Sequence, residues 1–304
     1  MNGIIVINKA KGVTSHQVVQ SVRRMFTGVK AGHSGTLDPM ATGVLPVCLG
    51  KATRIVEYII ELPKTYRAEV VLGLTTDTED AAGQITGQSV VPNLDREMIE
   101  KILCDFTGTI EQLPPYYSAV KYQGKALYHW TRQGREVPRQ VRSVQIYKIN
   151  LIDYNQEQKP HLIFEVQCSR GTYVRTLAVD IGKAIGCGAH LSALSREAVG
   201  PLLLDNSLSL EESWQLVEAG RTEEVLLPMD IALKHLPGLK LDDKQVMALK
   251  NGQLVDFDQY ELLEDISGKT PLRIYDSGHQ FKALACLIDA GDALRLKTLK
   301  FLTD

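Results

Sequence analysis

The sequence predicts an α+β fold: a mixed sheet with helices packed on it, then a small, mostly β appendage. Three observations predict it. Strand-like and helix-like runs follow one another without the regular βα alternation of a doubly wound parallel sheet. Pro228 and Pro237 bracket a break between about Leu227 and Gly238. Beyond it, a short helix from Asp242 to Leu249 precedes the strand runs "LRIYD", "FKALACLID" and "LRLKTLKFL". A main domain at 1–230 and a small one at 236–304 follow from that division.

Each element has its own signal. "NGIIVIN" is a short buried strand. Thr14 or Ser15 caps the next helix, whose Val18, Val22, Met25 and Phe26 fall on one side. Gly28 to Met40 shows no period and reads as a loop. "GVLPVCLG" is a strand in which Pro46 points to an edge or a bulge, because proline cannot donate to a ladder. Ala52, Ile55, Val56, Ile59 and Ile60 mark a short amphipathic helix. "TYRAEVVLG" alternates as a strand, and "TTDTEDAAGQITG" reads as a polar loop. Met98, Ile99, Ile102, Leu103 and Phe106 give a helix face ended by Gly108. "VQIYKINLIDY" and "HLIFEVQCS" are strands joined by the polar "NQEQKP". Val174, Leu177, Ala178, Ile181 and Ile185 line the next helix, which ends near "GCG".

Composition narrows the class. The chain of 304 residues has a formal net charge of −2, so no global basic field announces a nucleic-acid partner. The sign is uneven, however. From Lys121 to Lys148 there are seven basic residues (Lys121, Lys125, Arg132, Arg135, Arg139, Arg142, Lys148) against one acid, Glu136, with Tyr122, Tyr128, Trp130 and Tyr147 interleaved. Such a stretch is either a solvated face or a local nucleic-acid surface. Five scattered cysteines without a C-x-x-C predict a reduced, cytoplasmic chain, and no apolar run is long enough for a membrane span.

"AGHSGTLDPMATGVL" crowds Gly32, Gly35 and Gly43 around one acid, Asp38. The glycines allow sharp turns and close approach, and Pro39 restricts Asp38 to extended geometry. By itself a D-P pair also marks a plain turn. The loop matches neither a P-loop nor G-x-G-x-x-G, and no histidine spacing here suits a metal. A serine triad lacks its elbow motif. What survives is one oriented carboxylate. It could attack an electrophilic sugar carbon, yet no partner acid for glycoside hydrolysis is evident.

"GHSGTLDPMATGVLPVCLGKATR" resembles the signature of the tRNA pseudouridine-55 synthase family, whose G-[ST]-L-D-P core is here Gly35 to Pro39. Further segments follow in the family's order: "INKAKGVTSH", "KTYRAEVVLG", "YYSAVKYQGKALYHWTRQG", "CSRGTYVRTLAVDIG" and "CGAHLSALSREAVG". One departure is Ala10, where the family usually has proline after the lysine; its loss should loosen that turn.

The resemblance implies a largely antiparallel sheet of the pseudouridine synthase type, with an RNA-gripping insertion near 117–148 and a PUA-like C-terminal domain. It implies that Asp38 is the nucleophile, Arg175 its ion-pair partner and Tyr66 the ring stacked on the target uracil. His33, Tyr173, Leu194 and Lys9 are then substrate contacts, and Lys121, Lys125, Arg132, Arg135, Arg139 and Arg142 grip the RNA. The implied reaction isomerises uridine-55 of the tRNA T-arm with no cofactor and no metal. The implied enzyme is a monomer needing no protein partner or membrane. A helix N-terminus disfavours a cation, so Arg175 calls for an anionic neighbour whatever the family. Three rivals remain: a non-catalytic RNA-binding module, a guide-RNA-dependent pseudouridine synthase and a metal-dependent hydrolase.

Overall fold

The computed structural model describes residues 1–304 except 119, 132, 136, 158, 257–269, 291, 292 and 304, and only the main chain of Tyr128. Strand β1 (Gly3–Lys9) is buried at all but one position and leads into helix α1 (Ser15–Met25). Thr14, rather than Ser15, is the cap. Its hydroxyl accepts from the Gln17 N–H, and the Gln17 side chain accepts from the Thr14 N–H.

The segment read as a loop contains a short strand, β2 (Ala31–His33), made by pairing with β3 (Thr42–Leu49) rather than by its own pattern. A 3-10 turn at Gly50–Ile55, helix α2 (Val56–Glu61) and strand β4 (Lys64–Leu72) follow. The polar run after β4 is a hairpin of β5 (Leu74–Thr76) and β6 (Ile85–Gln88) with a long tip. In α3 (Arg96–Cys104) Ile99 and Leu103 are buried while Met98 is exposed. Gly108 lies past that helix and opens β7 (Gly108–Gln112).

Next come the insertion's β8 (Lys121–Tyr122), β9 (Lys125–Ala126) and α4 (Leu127–Thr131). The main sheet resumes with β10 (Arg142–Asn155), β11 (His161–Cys168), helix α5 (Val174–Ile185), β12 (Ala189–Val199) and β13 (Leu202–Leu203). Helix α6 (Leu210–Glu218) packs near α1 and β1.

Among the described residues the main sheet has nine strands, in the order β1-β3-β12-β4-β11-β10-β7, with β2 on β3 and β13 on β12. Every pairing is antiparallel except β12 with β3. The fold is therefore α+β with a mixed, largely antiparallel sheet. Its main core lies between one face of that sheet and helices α1, α3 and α5.

Pro46 is not at an edge. β3 is flanked by β1 from Gly43 to Leu49 and, on the other side, by β12 at Thr42–Gly43 and β2 at Val47–Leu49. The Pro46 carbonyl accepts from Ser34 N–H on that second side, so the ring faces the gap between the two partners. No ladder donor is needed there, which is why proline is tolerated.

The C-terminal part forms a separate sheet of β14 (Gly238–Lys240), β15 (Val255–Asp256), β16 (Leu272–Tyr275), β17 (Phe281–Asp289) and β18 (Leu294–Phe301), with α7 (Asp243–Lys250) against it. It has its own apolar cluster, including Leu239, Leu249, Ile274 and Leu296. The segment between Pro228 and Pro237 is packed, not extended. Met229, Ala232, Leu233 and Leu236 join Ile4, Ile55 and Ile59 of the main part, Leu284 of the second sheet and Leu302 just past its last strand.

Candidate active site

The Asp38 loop is a tip held between buried anchors. Leu37 and Ala41 are both buried. With capping done by Thr14, the Ser15 hydroxyl is free to clamp Leu37: it accepts from the Leu37 N–H at 2.9 Å and donates to the Leu37 carbonyl at 3.0 Å. On the far side, Gly12 N–H donates to the Pro39 carbonyl at 2.7 Å and Ala41 N–H to the Asp38 carbonyl at 3.1 Å. Between them the Asp38 side chain reaches out, 37% exposed.

Its partner is Arg175, near the start of α5 and only 5% exposed in its side chain. Nη2 lies 2.9 Å from Asp38 Oδ2 and donates at 2.8 Å to the Tyr117 carbonyl. Nη1 donates to the Thr78 carbonyl at 3.4 Å, and Nε is 3.9 Å from Asp80 Oδ2. Two carboxylates and two carbonyls thus offset a cation at a helix N-terminus. The turn that aims Arg175 is itself clamped. Buried Gln112, at the end of β7, accepts from the Tyr173 N–H at 2.9 Å and donates to the Tyr173 carbonyl at 3.2 Å. Sequence reasoning placed Asp38 with Arg175 and missed Asp80, Gln112 and Ser15. The run "TDTED" did concentrate acids, but only the β5–β6 hairpin turns Asp80 toward Arg175 and Glu79 onto Thr176.

Under the loop lie two buried cations. Lys9 is fully buried, and its ammonium donates to the carbonyls of Ala10, Val13 and Pro39. Burial pushes its pKa down to about 8 against the pull of Asp38. Expected as a substrate contact, it instead ties the loop from behind, because all three of its protons have carbonyl acceptors. Arg196 on β12 is 1% exposed. Its Nε donates to the Val44 carbonyl at 2.7 Å and Nη2 to the Gly35 carbonyl at 3.2 Å. The guanidinium so fills the gap in the sheet that Pro46 borders. Gly43 makes this approach possible: a Cβ there would sit 2.3 Å from the Arg196 carbonyl oxygen. No local signal marks Arg196, because the carbonyls it serves lie 152 and 161 residues away along the chain.

Tyr66 is directly opposite Arg196 on β4, and burial raises its pKa while Arg196 opposes the rise. Tyr173 is raised by burial too, with Ser118 and nearby arginines opposing. Both tyrosines feel the Asp38 charge. Leu194, nearly buried, pairs with Ala68 beside them, and its carbonyl accepts from Thr42 Oγ1 at 3.4 Å. His33 is half-buried at the rim, its Nδ1 accepting from Gly35 N–H at 3.2 Å; burial, then Arg196 and His16, lower its pKa. No group of three or more potential ligands among the described residues could hold a metal.

In the insertion Lys121, Lys125, Arg135 and Arg142 are exposed. Arg139 is not free for RNA in the same way: its guanidinium stacks 3.7 Å from the Tyr116 ring centroid and donates to the Pro114 carbonyl at 3.0 Å. Arg132 lies outside the described residues. Among the described residues no helix is long and apolar enough to cross a membrane.

Comparison with known proteins agrees with this architecture. Residues 23–174 match the family described as TruB family pseudouridylate synthase (N terminal domain). Residues 175–234 match the tRNA pseudouridylate synthase B C-terminal domain. A protein of Dehalococcoides mccartyi named tRNA pseudouridine synthase B is 43% identical over 93% of this chain and 92% of its own length. One of the same name from Geobacillus thermodenitrificans is 46% identical over 88% and 89%. A solved structure titled as a Cbf5-Nop10-Gar1 complex superposes with a TM-score of 0.74 at 26% identity, covering 99% of this chain and 85% of that one.

Proposed function

This chain belongs to the TruB family of pseudouridylate synthases, and from that membership and its site we propose that it converts uridine-55 in the T-arm of tRNA to pseudouridine, with Asp38 as nucleophile. The observation that carries the assignment is the half-exposed Asp38 carboxylate. One oxygen is bound by a buried guanidinium, and the other has no partner among the described residues. A carboxylate so held is aimed while its free oxygen meets the nucleotide. The reaction breaks N1–C1′, turns the base, forms C5–C1′ and exchanges the C5 proton for one on N1. It consumes no water and no redox equivalent, which suits a site with one exposed carboxylate.

A uridine in a folded T-loop must be extruded, at about a few kcal/mol of lost stacking. His33 at the rim is positioned to pack on the opened loop, and the Tyr66 ring to stack on the flipped base. Tyr173 and Leu194 wall the pocket. Lys121, Lys125, Arg135 and Arg142 then meet phosphates of the stem. Residues 1–230 act as the catalytic part and 236–304 as a second RNA contact, in a single chain without protein partners. The similarity to proteins named tRNA pseudouridine synthase B along most of their length favours this over a guide-RNA-dependent role.

The test is direct. Purified protein is incubated with unmodified tRNA transcript, and isomerised uridines are mapped by carbodiimide-blocked primer extension. A single product at position 55 is expected, lost in Asp38→Asn with tRNA binding retained. No product, a product elsewhere, or an active Asp38→Asn overturns the proposal.

A further inference from the structure

Arg196 is a puzzle in energetic terms. It is a buried cation with no carboxylate within ion-pairing distance among the described residues. Burying a charge without a counter-ion is costly, and a neutral donor could serve the two carbonyls it meets. Something must be gained from the charge. The Val44 and Gly35 carbonyls fix the guanidinium from one side. Directly across the β12–β4 ladder is Tyr66, so the two side chains share a face at neighbouring distance.

We propose that Arg196 is a positioning residue for Tyr66, fixing the ring and turning its hydroxyl proton toward the Asp38 side of the cleft. A guanidinium has donors only, so a phenol oxygen facing it must accept. The phenol's own proton is then left to point away, where it can serve as a donor to the flipped base. Arg196 also opposes the effect of burial on the Tyr66 hydroxyl, which makes that proton easier to release. The inference deepens the proposed reaction and rests on that reading for its effect on catalysis; the contact itself does not.

Two measurements test it. In protein labelled with 13Cζ-tyrosine, the Tyr66 signal, assigned by its loss in Tyr66→Phe, is expected to shift in Arg196→Lys and in Arg196→Gln. Tyr66→Phe is expected to shift the Arg196 guanidinium 15N signals, which keeps the idea testable where an Arg196 variant does not fold. Turnover supplies the second arm. Arg196→Lys is expected to lower kcat about 10-fold at saturating tRNA with Kd nearly unchanged, and to cost less than about 2-fold when added to Tyr66→Phe. Additive losses, or a Tyr66 signal and Arg196 signals that ignore each other's substitution, overturn the proposal. Wild type that makes no pseudouridine would sink the proposed function instead, and the spectra would still decide the Arg196–Tyr66 relation.

Discussion

Replacing Ser15 with alanine removes a single oxygen, yet two backbone groups next to the nucleophile depend on it. Ser15 is 2% exposed and Leu37 is 3% exposed, so the Leu37 N–H and carbonyl have little access to water. Each broken hydrogen bond is worth about 0.5–1.5 kcal/mol, and an orphaned buried group costs about 1–3 kcal/mol. Partial relaxation of the loop toward the cleft offsets some of this, so a destabilisation of about 2–4 kcal/mol is expected. Asp38 is the next residue, and a displacement of about 1 Å at a reacting group can cost about 100-fold in rate. Ser15→Ala should therefore lower both the urea midpoint and kcat. Thr14→Ala is the control. It removes an exposed cap worth about 1 kcal/mol and should leave kcat unchanged. Urea unfolding followed by circular dichroism, with initial rates on tRNA, reads both. If Ser15→Ala shifts stability by less than about 0.5 kcal/mol and turns over normally, the clamp is not what holds the loop.

Gly43→Ala forces a Cβ to 2.3 Å from the Arg196 carbonyl at a backbone φ of 100°. A loss above about 4 kcal/mol and little soluble protein are expected, and a wild-type Tm would contradict the reading. Lys9 binds its proton less tightly when folded, with a pKa near 8 instead of 10.5. The unfolded state thus holds more protons between those values, so this group adds stability as pH rises through 8 to 10.5, and none of that gain is present below pH 8. Lys9→Met should flatten the rise in unfolding free energy between about pH 8 and 10; parallel curves would refute it. Alanine at Lys121, Lys125, Arg135 or Arg142 should reduce the slope of log affinity against log salt by about 0.7–0.9 for each phosphate left unneutralised. An unchanged slope in all four would place the RNA elsewhere.

Local pattern determined much of this molecule. The alternation in β4, the buried stripes of α1 and α5 and the Gly186 stop are properties of short windows, and the sequence alone was sufficient for them. So were the shape of the Asp38 loop, set by glycines and Pro39, and the need of Arg175 for an anion. Three things were not legible. The three-residue β2 has no period and exists only because β3 offers a partner. Pro46 read as an edge marker, because a window cannot show that β12 ends and β2 begins beside it. Ser15 read as a possible cap and Asp80 as part of a polar loop, while Gln112 and Arg196 carried no local signal at all. Each gained its place through partners far along the chain, as Ser15 with Leu37, 22 residues on, and Arg196 with Gly35, 161 residues back, illustrate. Hydrophobic period is a local quantity and survives in the sequence. The partner of a buried polar group is a long-range quantity, and only the folded chain decides it.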